Sequence, residues 1–232
     1  MLLDCGSRTA LRLLEKNLTL ADIDYVIITH PHPDHIGDLV PSILSMYLTA
    51  NRFPEKKRPT LLPLHGYPGF KKDFQTLCDI MFPDWLAADV VSLAEHGNDD
   101  FAIGKLKIST RLVPHMEQYM QTFAIRFDDG NKSLTYSADT GKFPGLAKLA
   151  KDTDVALFEA SFSTQAFKKY GSRYGHMTPQ EAAQTAAEAH AKKLILTHFY
   201  EGLEPEENIL KSARQYFDGP VVLANDGLEV EI

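Results

Sequence analysis

Cysteine is almost absent from this chain. Cys5 and Cys78 are its only two, and neither has a second cysteine near it to begin a zinc ribbon. A disulfide framework is excluded, and a reducing, cytoplasmic setting follows by default. Long apolar runs are missing as well. No stretch approaches the roughly 20 residues that a membrane-spanning helix needs, so no membrane partner is expected. The start, Met1-Leu2-Leu3-Asp4-Cys5-Gly6, lacks basic residues and puts a carboxylate where a signal peptide stays apolar. Nor is there a basic surplus: 24 Lys and Arg against 31 Asp and Glu give a formal charge of −7. That balance argues against coating nucleic acid by bulk electrostatics, though it leaves room for a local basic groove. No internal repeat, low-complexity tract or long linker divides the chain.

What is present is an ordinary globular composition, 44% hydrophobic over 232 residues, enough for one large domain spanning 1–232 with a proper core. Tyr25-Val26-Ile27-Ile28-Thr29 is a compact apolar run that reads as a buried strand. Ile36, Val40, Ile43, Leu44 and Tyr47 then recur at helical spacing, as do Phe70, Phe74, Leu77, Cys78 and Met81. The polar stretch Thr49–Pro59 reads as a surface loop. Farther on, Leu106, Ile108, Thr110 and Leu112 alternate with polar residues, as do Phe123, Ile125 and Phe127. Asp129-Gly130 offers a hairpin turn before Leu134-Thr135-Tyr136. Strands follow at Val155–Phe158, Leu194–Thr197 and Val221–Ala224. Between them Thr178-Pro179-Gln180-Glu181 opens a helix with an N-cap, a proline at the first helical position and a capping box. The pattern predicts an α/β fold, an αββα sandwich of two mixed β-sheets flanked by helices.

Nine histidines is a high count, and their placement matters more than the number. His30-Pro31-His32-Pro33-Asp34-His35 sets three imidazoles and a carboxylate within six residues. Imidazole nitrogens and carboxylate oxygens suit Zn²⁺ where no thiolates are offered. Each proline biases its predecessor towards extended backbone, so His30 and His32 project to one side and can share a metal. Asp34 and His35, at the entry to the next helix, point differently, which suits a second metal. The alternative is a histidine-rich surface turn. Against it, His115, Asp139, Glu159 and His198 each follow or end a strand, and residues held at strand ends make a common site architecture.

The His-x-His-x-Asp-His run, the isolated His115, Tyr-Ser-Ala-Asp139-Thr and Leu-Thr-His198-Phe, in this order, resemble the ligand motifs of the metallo-β-lactamase superfamily. The resemblance implies two Zn²⁺ per chain, with Mn²⁺ or Fe²⁺ as alternatives of the same ligand chemistry. One ion would take His30, His32 and His115. The other would take Asp34, His35 and His198. Asp139 would bridge them, and Asp34 would also serve in the reaction. The resemblance runs from Leu2 to the C-terminus, and every ligand position is filled. Family members usually carry another strand or two before the Leu-Leu-Asp4-Cys-Gly segment. Either the outer sheet is trimmed here or the true start lies upstream.

Two further segments, Leu157-Phe158-Glu159-Ala160-Ser161-Phe162 and Gly175-His176-Met177-Thr178, resemble the glutamate and histidine motifs of ribonuclease Z-type phosphodiesterases. The first usually reads His-Glu-Ala-Thr, the second His-Ser-Thr or similar. Both departures spare the chemically active residue. Glu159 would fix the tautomer of His176, which could then give a proton to the departing oxygen of a phosphodiester while a water activated by the metals attacks. The alternative is a structural ion pair. Phe167-Lys168-Lys169-Tyr170-Gly171-Ser172-Arg173-Tyr174 interleaves basic and aromatic residues. It reads either as a receiver of phosphates and bases or as an exposed helix end and loop. The protruding Gly-rich, basic arm typical of transfer-RNA processing nucleases is missing. Only Arg52–Pro59 stands in its interval.

The resemblance thus implies a metal-dependent phosphodiesterase acting on a small-molecule or nucleotide phosphodiester. RNA, and a second copy of the chain in a homodimer, are further candidate partners. A lactonase or thioesterase of the same fold is the alternative. A redox di-iron member would replace His32 with glutamate, and a non-catalytic scaffold would lose ligands. Neither change is present. His65, His96 and His190 match no motif and read as structural or solvated.

Overall fold

The computed structural model describes residues 1–82, 90–161, 174–199 and 204–232. Two compact units divide the chain, Met1–His96 and Gly97–Ile232.

The first unit carries a four-stranded sheet in the order β1 (Leu2–Leu3), β2 (Val26–Ile28), β3 (Leu62–Gly66), β4 (Val91–Glu95). All its pairings are parallel, with Leu2 beside Val26, Val26 beside Leu64 and Leu62 beside Val91. Parallel strands are covered on both faces, which is why Val26, Ile27 and Ile28 are all buried and show no alternation. Helices α1 (Thr9–Glu15), α2 (Pro33–Ile36), α3 (Leu39–Arg52) and α4 (Phe70–Met81) belong to this unit. The predicted helical stripe from Ile36 to Tyr47 is interrupted. The N–H of Asp38 turns away to the carbonyl of Cys5, 3.0 Å off, and splits α2 from α3. The expected loop over 49–59 is partly helical, because nothing in Thr49–Arg52 breaks α3 and a short turn at Pro54–Lys56 follows. In α4 the predicted stripe holds at Phe70, Phe74 and Cys78, all buried.

The second unit has seven strands in the order β11-β10-β9-β8-β7-β6-β5. These are β5 (Asp100–Ile103), β6 (Leu106–Leu112), β7 (Phe123–Asp128), β8 (Ser133–Tyr136), β9 (Val155–Glu159), β10 (Lys193–Thr197) and β11 (Val221–Leu223). Pairings from β5 to β8 are antiparallel, and those from β8 to β11 are parallel. The Asp129-Gly130 turn is as expected. Gly130 takes φ 92°, and the Asp129 carboxylate accepts the N–H groups of Asn131 and Lys132. Helices α5 (Pro144–Leu149), α6 (Pro179–Glu188) and α7 (Glu206–Ala213) complete the unit. The predicted capping box opens α6, where Thr178 Oγ1 accepts from Glu181 N–H and Glu181 returns a carboxylate oxygen to Thr178 N–H. The unit's core gathers Phe158, Leu194, Leu196 and Ile209 around the alanines of α6. Among the described residues no helix is long and apolar enough to cross a membrane.

This topology sets where side chains emerge. Two antiparallel steps separate β6 from β8, so β6, β8, β9 and β10 all run the same way. Their carboxyl ends share one edge of the sheet, the edge where open α/β sheets collect functional groups.

Candidate metal centre

In the first unit the carboxyl ends of β1 and β2 supply Asp4 and Thr29-His30. His30 is fully buried, and its Nε2 lies 3.1 Å from His32 Nδ1. The His-Pro-His spacing brings the two rings together as extended backbone predicts, with φ −62° and ψ 146° at His32. His35 sits inside α2. Its Nδ1 is 2.7 Å from Asp4 Oδ2, and its Nε2 is 3.5 Å from Asp34 Oδ2. Asp4 also accepts the Thr29 N–H and hydroxyl, and that hydroxyl lies 3.1 Å from His30 Nδ1. One carboxylate therefore orients His35 directly and His30 through Thr29. Gly6 packs on this corner so closely that a Cβ would stand 1.7 Å from the Asp34 carbonyl oxygen.

In the second unit β6, β8, β9 and β10 deliver His115, Asp139, Glu159 and His198. All but His198 are buried. Asp139 Oδ2 lies 3.3 Å from His198 Nε2 and 3.9 Å from His115 Nε2. His115 Nδ1 is 3.0 Å from the Gly175 carbonyl, and His198 Nδ1 is 2.6 Å from Ser161 Oγ. Glu159 Oε1 accepts the Thr140 N–H and holds His176 Nδ1 at 2.8 Å. Ligand atoms of Glu159, His176 and His198 lie within 4.8 Å of one another. The expected Glu159–His176 pair is thus formed.

Three of the residues at these strand ends take left-handed backbone. Asp4, Ala138 and His198 have φ of 58°, 51° and 58°. For residues with a Cβ such a conformation costs about 1 kcal/mol or more and persists only where the surroundings enforce it.

The donor set fits a transition metal. Atoms bonded at about 2.0–2.1 Å to a tetrahedral ion stand roughly 3.3 Å apart. The His30–His32 and Asp139–His198 separations of 3.1 and 3.3 Å match that spacing. In addition, His35, His115 and His198 each have Nδ1 against an oxygen, Asp4, Gly175 and Ser161 respectively, with Nε2 beside a carboxylate. An oxygen partner on one ring nitrogen is how metal-ligating histidines are held.

Sequence reasoning missed four holders: Thr29, Ser161, the Gly175 carbonyl and the role of Asp4. The only signal was that Asp4, Ser161 and Gly175 fall inside recognised segments. His65 and His96, read as structural or solvated, form a pair of their own. Their Nδ1 and Nε2 atoms are 2.8 Å apart with the rings 7° from parallel, and burial, followed by the charge of His96, lowers the pKa of His65. Of the basic and aromatic stretch Phe167–Tyr174, all but Tyr174 lies outside the described residues.

A model of the β-lactamase superfamily domain matches residues 1–199. The chain belongs to the β-lactamase superfamily. Among curated relatives of this superfamily member, the probable metallo-hydrolase YhfI of Bacillus subtilis is 28% identical over 228 residues, spanning 98% of this chain and 86% of that protein. Ribonuclease Z of Brevibacillus brevis is 27% identical over 270 residues, covering 93% of this chain and 82% of the relative. The crystal structure of B. subtilis YhfI superposes with a TM-score of 0.82 at 26% identity, over 97% of this chain and 85% of that one. A diphosphatase from the PhnP family shares the fold, with a TM-score of 0.70 at 19% identity over 97% of this chain and 76% of that one. This superfamily member is a metallo-hydrolase with ribonuclease Z-like relatives.

Proposed function

We propose that this chain is a metal-dependent phosphodiesterase in which His176, held by Glu159, gives a proton to the leaving oxygen. The observation that carries the reading is the buried Glu159 carboxylate, whose Oε1 grips His176 Nδ1 at 2.8 Å. A carboxylate only accepts there, so His176 Nδ1 carries a proton and Nε2 is the atom left to exchange one with substrate. Metal ligands alone would serve any ester; a fixed proton donor matters most for a poor alkoxide leaving group. The ribonuclease Z relatives support the phosphodiester class. The missing docking arm favours a small or nucleotide diester over transfer RNA.

In this reading His30, His32 and His115 would hold one ion and Asp34, His35 and His198 the other, with Asp139 shared between them. Asp34 would also take part in the reaction. When bound, such ions polarise a phosphoryl oxygen and bring the pKa of water to about 7. The chain's own residues do the rest. Asp4 and Thr29 keep the first unit's rings in place, Gly175 and Ser161 keep the second unit's, and Glu159 aims His176.

The test is a zinc-loaded sample assayed in parallel on an alkyl or nucleoside phosphodiester, a p-nitrophenyl phosphodiester, a homoserine lactone and a thioester. His176→Ala should cost about 10²- to 10⁴-fold on the alkyl diester and far less on the p-nitrophenyl one, whose leaving group departs unaided. Equal losses on both make His176 a binder or a brace. Preference of the wild type for lactone or thioester overturns the phosphodiester reading.

A further inference from the structure

We propose that Ser161 is a positioning residue that ties His198 to the Glu159–His176 pair through a single carboxylate. The proposal rests on the reading of His198 as a metal ligand and His176 as a proton donor. Ser161 is buried, and its Oγ stands 2.6 Å from Glu159 Oε2 and 2.6 Å from His198 Nδ1. A hydroxyl has one proton to give. The Glu159 oxygen receives it, so Ser161 Oγ accepts from His198 Nδ1–H. That fixes the His198 tautomer and leaves the lone pair on Nε2, 3.3 Å from Asp139 Oδ2. The other oxygen of the same carboxylate accepts from Thr140 N–H and His176 Nδ1–H, both at 2.8 Å. The Ser161 N–H adds a 3.1 Å bond to Oε2. Glu159 thus holds two imidazoles, one directly and one through a hydroxyl, and turning it to suit one loosens the other.

The first unit repeats the device with different residues. Asp4 holds His35 directly at 2.7 Å, and the Thr29 hydroxyl links it to His30, 3.0 Å from Asp4 Oδ2 and 3.1 Å from His30 Nδ1. Two unrelated stretches of chain arrive at carboxylate, hydroxyl and imidazole in the same order. This recurrence points to an organising role for Ser161 rather than an incidental contact.

The consequence is specific to the hydroxyl. Without it, His198 Nδ1–H loses the Ser161 oxygen and Glu159 loses a donor on Oε2, so the ligand and the proton donor slacken together. The experiment compares wild type, Ser161→Ala and Ser161→Thr, the last keeping the hydroxyl in the form usual for related motifs. Zinc affinity is measured by competition with a chromophoric chelator. The His198 tautomer is read from ¹⁵N imidazole shifts in the metal-free protein, and activity is compared on alkyl and p-nitrophenyl diesters.

The wild type should show His198 as the Nδ1–H tautomer. Ser161→Ala should mix the tautomers, weaken zinc about 10- to 100-fold, the usual cost of losing such a partner, and lose more rate on the alkyl diester than on the p-nitrophenyl one. Ser161→Thr should restore all three. Wild-type zinc affinity and a single tautomer in Ser161→Ala overturn the proposal. If Ser161→Ala fails to fold, the wild-type spectrum still decides, since an Nε2–H tautomer of His198 overturns the proposal outright. Zinc binding that depends on His198 but not on Ser161 sinks this proposal alone. Zinc binding indifferent to His198→Ala sinks the metal reading and takes the proposal with it.

Discussion

The carbonyl of Gly175 accepts a hydrogen bond from His115 Nδ1–H at 3.0 Å, and the next residue in the chain is His176. A carbonyl can only accept, so this contact fixes the His115 tautomer and ties that ring to the residue just before His176. The approach is close. A Cβ on Gly175 would fall 2.4 Å from the Pro114 oxygen and 2.7 Å from His115 Cα, and φ is +66°.

Gly175→Ala should therefore disturb His115 and His176 together. Strain of this kind costs about 1–3 kcal/mol, and at roughly 2–4 °C per kcal/mol for a chain of this size the thermal midpoint should fall by about 2–12 °C. Zinc content after dialysis should fall with it. Gly130→Ala is the control, since φ is +92° there but nothing lies within 4 Å of the added carbon. It should be destabilised without losing metal. Equal metal loss in both variants would remove the link between Gly175 and His115.

The corner at Gly6 makes a parallel forecast for the first unit. Its hypothetical Cβ meets backbone, the Asp34 carbonyl oxygen at 1.7 Å, with no flexible side chain to yield. Gly6→Ala should push the Asp34–His35 turn off its Asp4 anchor and lower zinc retention, even where circular dichroism shows folded protein. A folded Gly6→Ala that holds zinc as tightly as wild type would show that this turn carries no ligand.

Elemental analysis of purified, unstripped protein should find about two transition-metal ions per chain, given seven candidate ligands of the oxygen and imidazole type. His35→Ala should reduce that to about one. Asp139→Ala should lower both metal content and turnover, because a bridging carboxylate serves both ions. An Asp139→Ala chain with full metal and near-normal rate means that Asp139 does not bridge.

Asp154 supplies a pH test away from the candidate site. The Lys192 ammonium, with Ser133 as a further donor, lowers its carboxyl from 3.8 to about 2. A carboxyl lowered on folding stabilises fully above its unfolded value near 3.8 and loses that contribution as pH falls through about 2. Asp154→Asn should lower the thermal midpoint at pH 6 and narrow its gap from wild type between about pH 4 and pH 2. A gap unchanged across that window would mean that the carboxylate charge adds nothing.

How much of this could be read from the chain depends on how local each cause is. The pairing of His30 with His32 was legible because prolines act on their immediate neighbours. So was the capping box at Thr178, whose residues interact within a single turn. The break between α2 and α3 was not, because the N–H of Asp38 is diverted by a carbonyl far back in sequence, that of Cys5. Ser161 lies inside a recognisable motif, yet its contact with His198 depends on β9 and β10 lying side by side, with Thr197 in register with Glu159. The His65–His96 pair likewise depends on neighbouring strands. Ligands announce themselves by residue type. The groups that orient them are serine, threonine, glycine and a backbone carbonyl, which abound everywhere in a chain.

The all-parallel first sheet also has a bearing on the order in which the protein folds. Antiparallel β5 to β8 can close as successive hairpins, but β1 can reach β2 only after α1 and its flanking turns have been gathered in. Until that strand docks, Asp4 is nowhere near Thr29 or His35. Until then the segment His30-Pro31-His32-Pro33-Asp34-His35 lacks the Asp4 carboxylate that orients two of its imidazoles. Docking of the two residues of β1 is thus the step that sets Asp4 against Thr29 and His35, and in refolding the imidazoles of His30 and His35 should become ordered as that strand docks.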